Sequence, residues 1–406
     1  MKPTIDSLAL FGVLPTSRQL LHVGLPNIGN RERFLERVGT LLDRKWLTNN
    51  GPYVQEFEAR LCALTGATHG IATCNATCAL EIAIRAAGVT GEVIVPSFTF
   101  VATAHALRWC GLTPVFCDID PHTHNIDPSQ AEQLITPRTT AILGVHLWGR
   151  PCDVRSLSAI ARRHNLTLLF DAAHAFGCSY QGAMVGNFGA AEILSFHASK
   201  FINTFEGGAV LTNDDALAAR VRLMRNFGFA GYDQVIELGI NGKMSEVAAA
   251  MGLTALESLE EFRAVNHRNY LAYRRALAGV PGIALQLYDE TERGNYQYII
   301  IDVDAQLTGL SRDDLLRVLH AENVLARRYF YPGCHRMEPY RSSPTARTGA
   351  LPHTESVAGR VLCLPTGTGV DPESIAGVCE LIRFALAHGR EIHERLRKEE
   401  PCVSRR

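Results

Sequence analysis

The chain has 406 residues, enough for a large domain with a sizeable core and a smaller one beside it. A formal net charge of −1 with 47% apolar residues offers no basic surface for nucleic acid or an anionic membrane, and no run is apolar enough to span a bilayer. Eleven scattered cysteines, many inside apolar runs such as Val361–Leu364, suit free thiols in a reducing compartment; with an acid inside the first apolar stretch, a soluble cytoplasmic protein is expected.

In chain order, the first forty residues read as an arm broken by Pro26 and Gly29, leading into a helix over Arg31–Leu42. Val54, Phe57, Leu61 and Leu64 share one face of a helix over Tyr53–Leu64. A repeating unit follows. Short apolar strands at Gly70–Cys74, Val93–Val95, Pro114–Asp118, Ala141–Leu147 and Thr167–Phe170 alternate with helices at Thr77–Ala87, Ala102–Trp109, Ser129–Leu134 and Val154–His164. Near-continuous apolar strands alternating with amphipathic helices predict an α/β fold, a largely parallel sheet covered by helices on both faces.

Beyond Gly208 come a strand over Ala209–Thr212 and a helix over Asp214–Asn226. Lys243–Ala278 reads as a long helical region broken near Glu260–Val265 and ended by Gly279-Val-Pro-Gly. Strands at Tyr296–Val303, Val324–Phe330 and Arg360–Leu364, with helices at Ser311–Glu322 and Pro372–His388, predict a smaller α+β domain. The expected division is an arm and large domain over 1–249, a small domain over 250–390, and a charged, flexible tail over 391–406.

The chemistry concentrates between Leu166 and Gly208. The apolar run Leu168-Leu169-Phe170 ends in Asp171, with His174 three residues on, and Ile193-Leu194 ends in Ser195. Lys200 follows in a turn closed by Glu206-Gly207-Gly208. A lone lysine is ordinarily a solvated charge. One that follows a strand end and is buried becomes neutral and nucleophilic, the usual imine former with an aldehyde cofactor. A carboxylate desolvated at a strand end needs a partner; the choices are capping the next turn or pairing with a protonated ring nitrogen.

The junction Cys74-Asn75-Ala76-Thr77-Cys78 lies between a strand and a helix, and the helix start offers free amides for an anion. Ala76 and Thr77 would supply amides, and the Thr77 and Ser195 hydroxyls further donors. The ordinary alternative is Thr77 as a plain N-cap. The junction lacks the glycines of a dinucleotide fingerprint, which disfavours that class. Cys74 and Cys78 have no second Cys/His pair at matching spacing, so no metal is expected. Phe100, in V-P-S-F-T-F, could wall a planar ring or simply be core.

Together, S-F-H-A-S-K-F-I-N-T-F-E-G-G-A-V, D-A-A-H-A-F-G, V-P-S-F-T-F-V-A-T-A and N-G-K-M-S-E-V-A-A-A-M-G-L resemble the DegT/DnrJ/StrS family of sugar aminotransferases, from about Leu8 to His388. The resemblance implies the aspartate-aminotransferase-like fold type I, pyridoxal 5′-phosphate as cofactor, and a homodimer with its active site at the subunit interface. It implies Lys200 as the imine-forming lysine, Asp171 on the pyridine nitrogen, and His174 near the phenolic oxygen. Ala76, Thr77 and Ser195 would form the phosphate cup and Phe100 the ring wall, while Asn241 would reach the neighbouring subunit's cofactor phosphate.

The stretches Gly144–Cys152, Tyr331–Tyr340 and Leu364–Thr368 look like the branch that makes dTDP-4-amino-4,6-dideoxy-D-glucose. That branch implies L-glutamate as donor and the dTDP-linked 4-keto-6-deoxy sugar as acceptor. Trp148, Arg327, Phe330 and Tyr331 would then lie at the nucleotide-sugar pocket. A 3-keto or UDP-linked sugar and a cofactor-binding regulator without turnover are the alternatives. A related dehydratase would carry histidine at position 200.

Overall fold

The computed structural model describes residues 2, 4–15, 19–343 and 346–399. An eight-stranded sheet runs in the order Arg347–Thr348, Thr113–Cys117, Glu92–Pro96, Thr139–Val145, Thr167–Asp171, Ala191–Ser195, Gly208–Thr212, His69–Thr73. Only Gly208–Thr212 runs antiparallel to its neighbours.

Successive strand residues point to opposite faces, and both faces are apolar. Val93, Val95, Leu143, Leu169, Ile193 and Val210 pack on one side under the helices Ala76–Ala86, Val101–Trp109 and Asp215–Arg225. Ile94, Ile142, Leu168 and Phe170 face the Val154–Arg163 helix on the other; Leu194, Ala209 and Leu211 face Pro52–Thr65 and Glu246–Glu257 there. Leu143, Ile193 and Val210 are wholly buried, each contributing about 1.5–3 kcal/mol relative to exposure.

A second, antiparallel sheet of Ile283–Leu285, Ile299–Val303 and Val361–Leu364 carries the helices Leu259–Leu277, Arg312–Ala321 and Pro372–Ala387. The two cores do not separate at residue 249. Ile5, Leu8 and Leu21 bury in the core of the smaller sheet, and Leu21–His22 pairs in parallel with Val324–Leu325. Conversely, Cys334, Tyr340 and Leu351 belong to the core of the large sheet, which Arg347–Thr348 extends by one strand.

Three expectations are corrected locally. The helical break falls at Ser258, between Glu246–Glu257 and Leu259–Leu277. The strand from Val324 stops at Leu325, after which Arg327 alone bridges Cys363. The charged stretch after Arg390 is not frayed at its start: Gly389–Glu399 is helical and buries Ile392 and Leu396, four apart on one face, against the smaller core. Residues 400–406 of the expected tail lie outside the described residues.

Candidate active site

Lys200 sits in the turn joining Ala191–Ser195 to the antiparallel Gly208–Thr212. The turn is fixed at several points. The Lys200 amide donates to the His197 carbonyl at 2.9 Å, and Thr204 N donates to the Phe196 carbonyl at 2.9 Å. Asn27 Nδ2 donates to the Phe201 carbonyl at 2.9 Å, and Asn203 Nδ2 donates to the Asn27 carbonyl at 2.8 Å. Phe201 and Ile202 bury beneath it. The amine of Lys200 is thereby held inside the protein, and burial lowers its pKa from 10.5 to about 8, with attraction to Asp171 opposing the shift.

Asp171 ends the Thr167–Asp171 strand and is buried. Its Oδ2 accepts from the Thr103 hydroxyl at 2.7 Å and its Oδ1 from the Ala173 amide at 3.0 Å. Burial, then the charge on Lys200, holds His174 well below the ordinary histidine pKa, so its ring is neutral. His174 Nδ1 accepts from the Trp148 amide at 3.4 Å, which leaves the ring proton on Nε2.

The helix Ala76–Ala86 begins beside them. Asn75 is its N-cap and accepts the Cys78 amide at 2.8 Å, so Thr77 is not the cap. The amides of Ala76 and Thr77, in the first turn, have no carbonyl within the helix to bond. A Cβ at Gly208 would lie 2.7 Å from Ala76 N, so only glycine lets the antiparallel strand pass so close to this helix start.

These groups converge on one cavity of about 420 Å³ at the carboxyl edge of the parallel strands, where such sheets bind ligands. Lys200, Asp171, His174, Ala76, Thr77, Ser195, Phe100, Arg327 and Phe330 all line it. The other three expected residues do not. Trp148 has a left-handed backbone (φ 60°) that places its wholly buried ring behind the wall. There it stacks on Phe330, with centroids 5.3 Å apart and planes 9° apart. Tyr331 lies outside the cavity, under the guanidinium groups of Arg312 and Arg328. Asn241 is exposed and bridges Asn226.

Sequence reasoning missed Thr103, Gln297, Tyr298 and Tyr329. Gln297, Tyr298 and Tyr329 line the cavity, and Thr103 lies beneath it on Asp171. Thr103 stands in the quoted V-A-T-A stretch, but no periodicity marks it as the partner of an acid 68 residues away.

A half-buried lysine with its pKa lowered to about 8, within electrostatic reach of a doubly hydrogen-bonded carboxylate and beside a helix start with free amides, fits pyridoxal phosphate. The amine suits its aldehyde, the carboxylate its ring nitrogen and the amides its phosphate. The class so defined is the pyridoxal-phosphate-dependent aminotransferase. The chain belongs to the DegT/DnrJ/EryC1/StrS aminotransferase family, whose pattern matches residues 29–383.

Among its relatives, dTDP-4-amino-4,6-dideoxy-D-glucose transaminase of Escherichia coli is 40% identical over 362 residues, 88% of this chain and 96% of that protein. GDP-perosamine synthase of Caulobacter vibrioides is 37% identical, over 87% of this chain and 95% of that protein. The solved structure of DesI in the presence of its TDP-sugar product superposes with a TM-score of 0.93 at 51% identity, covering 97% of this chain and all of that one. No helix among the described residues is long and apolar enough to cross a membrane.

Proposed function

We propose that the protein moves an amino group from L-glutamate to C4 of dTDP-4-dehydro-6-deoxy-D-glucose, giving dTDP-4-amino-4,6-dideoxy-D-glucose. The observation that carries this reading is the 51% identity, over 97% of the chain, to a structure holding a TDP-sugar product. The similarity to the Escherichia coli transaminase supports the same sugar. The similarity to GDP-perosamine synthase favours a second reading, the same transfer on a sugar carried by a different nucleoside diphosphate.

Pyridoxal phosphate supplies an aldehyde that takes up the amino group and a ring that stores the electron pair released when a neighbouring carbon loses a proton. The residues supply the rest. Lys200 Nζ would anchor the aldehyde; as a free, neutral amine it would take the proton from the donor's α-carbon and later deliver one to the sugar's C4. The Asp171 carboxylate would keep a proton on the ring nitrogen, and Thr103 and the Ala173 amide keep that carboxylate aimed. The first turn at Ala76 and Thr77, with Ser195, takes the phosphate. Phe100 would wall one side, and neutral His174 would offer its Nε2 proton to a phenolate oxygen. Arg327 supplies a positive charge at the cavity for the diphosphate.

Two copies of the chain would complete the enzyme. Phe227, Phe229, Tyr232, Val235, Ile236 and Leu238 are exposed together around a hairpin, and Asn241 follows directly. Such an apolar patch marks an interaction surface. Light scattering should give twice the chain mass for the wild type and a monomer for Tyr232→Asp/Ile236→Asp.

The decisive experiment offers dTDP-, UDP- and GDP-linked 4-keto and 3-keto sugars with L-glutamate and measures the amino sugar formed. Turnover should be fastest with the dTDP-linked 4-keto-6-deoxy sugar. A faster GDP-linked or 3-keto substrate would replace the reading.

A further inference from the structure

Tyr298 has no part in the roles assigned above, yet its hydroxyl lies 3.5 Å from Lys200 Nζ, with the amine as donor. It reaches Lys200 from the other sheet, immediately before the strand Ile299–Val303. Its side chain is buried, and it is held on both sides. The ring stacks on His174 with centroids 4.1 Å apart and planes 29° apart. Its amide donates to the Tyr288 hydroxyl at 3.2 Å, and that hydroxyl in turn lies 2.9 Å from the Trp148 carbonyl. A phenol fixed this firmly costs little further ordering when it engages a mobile amine.

Resting on the transamination reading, we propose that Tyr298 is a catalytic residue: its hydroxyl receives the Lys200 amine whenever Nζ is not bonded to the cofactor's aldehyde carbon, and holds it over the cavity for proton transfer. The direction of the bond matters. An N–H of the amine donates to Oη, so the nitrogen lone pair stays free to accept a proton from carbon. When Nζ takes that proton it becomes an ammonium, and the same contact becomes a charge-assisted hydrogen bond, about twice as strong. Tyr298 therefore favours the protonated product of the abstraction step. Burial holds its own pKa well above the ordinary tyrosine value, so the phenol stays neutral throughout.

The other groups near Nζ cannot take this part. Asp171 attracts the ammonium, but its carboxylate is held by Thr103 and Ala173 and assigned to the ring nitrogen. His174 is neutral and uses Nδ1 on the Trp148 amide. His197, Glu206 and Arg327 line the same cavity, and His197 and Glu206 pair with each other at 3.6 Å.

The test compares wild type with Tyr298→Phe, which keeps the ring on His174 and removes only the hydroxyl. In cofactor-free protein, acylation of Lys200 is followed by mass spectrometry against pH. Loss of a bond that favours the ammonium should move the midpoint down from about 8 by about one pH unit. In the cofactor-loaded protein, the single-turnover reaction with L-glutamate should slow about tenfold or more, with an enlarged isotope effect from α-deuterated donor and unchanged sugar KM. Tyr288→Phe leaves the hydroxyl but removes its anchor, and should shift the acylation curve in the same direction by less. An unmoved or upward-moved midpoint in Tyr298→Phe, or an unchanged single-turnover rate, overturns the proposal. Failure of wild type to react with glutamate would instead overturn the transamination reading, while the acylation curve would still decide whether Tyr298 holds Lys200.

Discussion

Replacing Thr103 with valine isolates the bond that aims Asp171. The Thr103 hydroxyl is buried and donates to Asp171 Oδ2 at 2.7 Å. With its proton spent there, it accepts from the Thr99 hydroxyl at 3.1 Å. Valine keeps the shape and removes both connections. A hydrogen bond to a charged group is worth about 1.5–3 kcal/mol, so the cofactor-free protein should lose about 2 kcal/mol. Unfolding entropy of about 2.1 cal/mol/K per residue over 406 residues gives about 0.85 kcal/mol/K, and hence a Tm lower by about 2–3 °C. Thr103→Ser keeps the donor and should stay within 1 °C or so of wild type by the same conversion. The half-reaction with glutamate should slow at least about tenfold in the valine variant, because a carboxylate free to turn no longer fixes the ring proton. Scanning calorimetry of the three cofactor-free proteins and stopped-flow absorbance of the loaded ones read both effects. A valine variant as stable and as fast as the serine variant would refute the reasoning.

Other outcomes follow from single contacts. Because the folded pKa of Lys200 lies near 8, below its ordinary 10.5, reconstitution with pyridoxal phosphate should quicken as pH rises through 8 and then level off. The same group binds fewer protons folded than unfolded, so in cofactor-free protein its destabilising contribution should fade as pH rises from 8 to 10.5; denaturant melts across that range check the sign. His146→Leu removes the partner 2.8 Å from Glu192 Oε1, where neither side chain is exposed. The Gly186 and Phe188 amides stay on Oε2, so the loss is one hydrogen bond to a charged group, about 1.5–3 kcal/mol, to be read from denaturant midpoints. Gly208→Ala puts a methyl 2.7 Å from Ala76 N, and should raise the rate at which bound cofactor is lost on dialysis while leaving the circular dichroism near that of wild type.

Lys200, Asp171 and the helix start at Ala76 were legible because each rests on local punctuation: an apolar strand, its end, and a polar residue just beyond. The sheet was legible for the same reason, since its strands carry uninterrupted apolar runs. What escaped depends on partners far apart in sequence. Thr103 meets Asp171 across 68 residues and Tyr298 meets Lys200 across 98, and neither separation leaves a periodic trace. Trp148 was expected in the cavity from the resemblance of the Gly144–Cys152 stretch, but its left-handed backbone turns the ring behind Phe330. The helix over Gly389–Glu399 was readable from Ile392 and Leu396, four apart; the surrounding charges obscured it.

The exchange of segments between the two cores has a consequence for how the chain can be divided. Residues near the start, at Ile5, Leu8 and Leu21, finish the core of the smaller sheet, while Cys334, Tyr340 and Leu351 finish that of the larger one. A cut at residue 249 would leave each fragment short of apolar side chains that only the other carries. The two layers are therefore clasped, and they should melt in one cooperative transition and resist proteolytic separation. The cavity built between them inherits that rigidity.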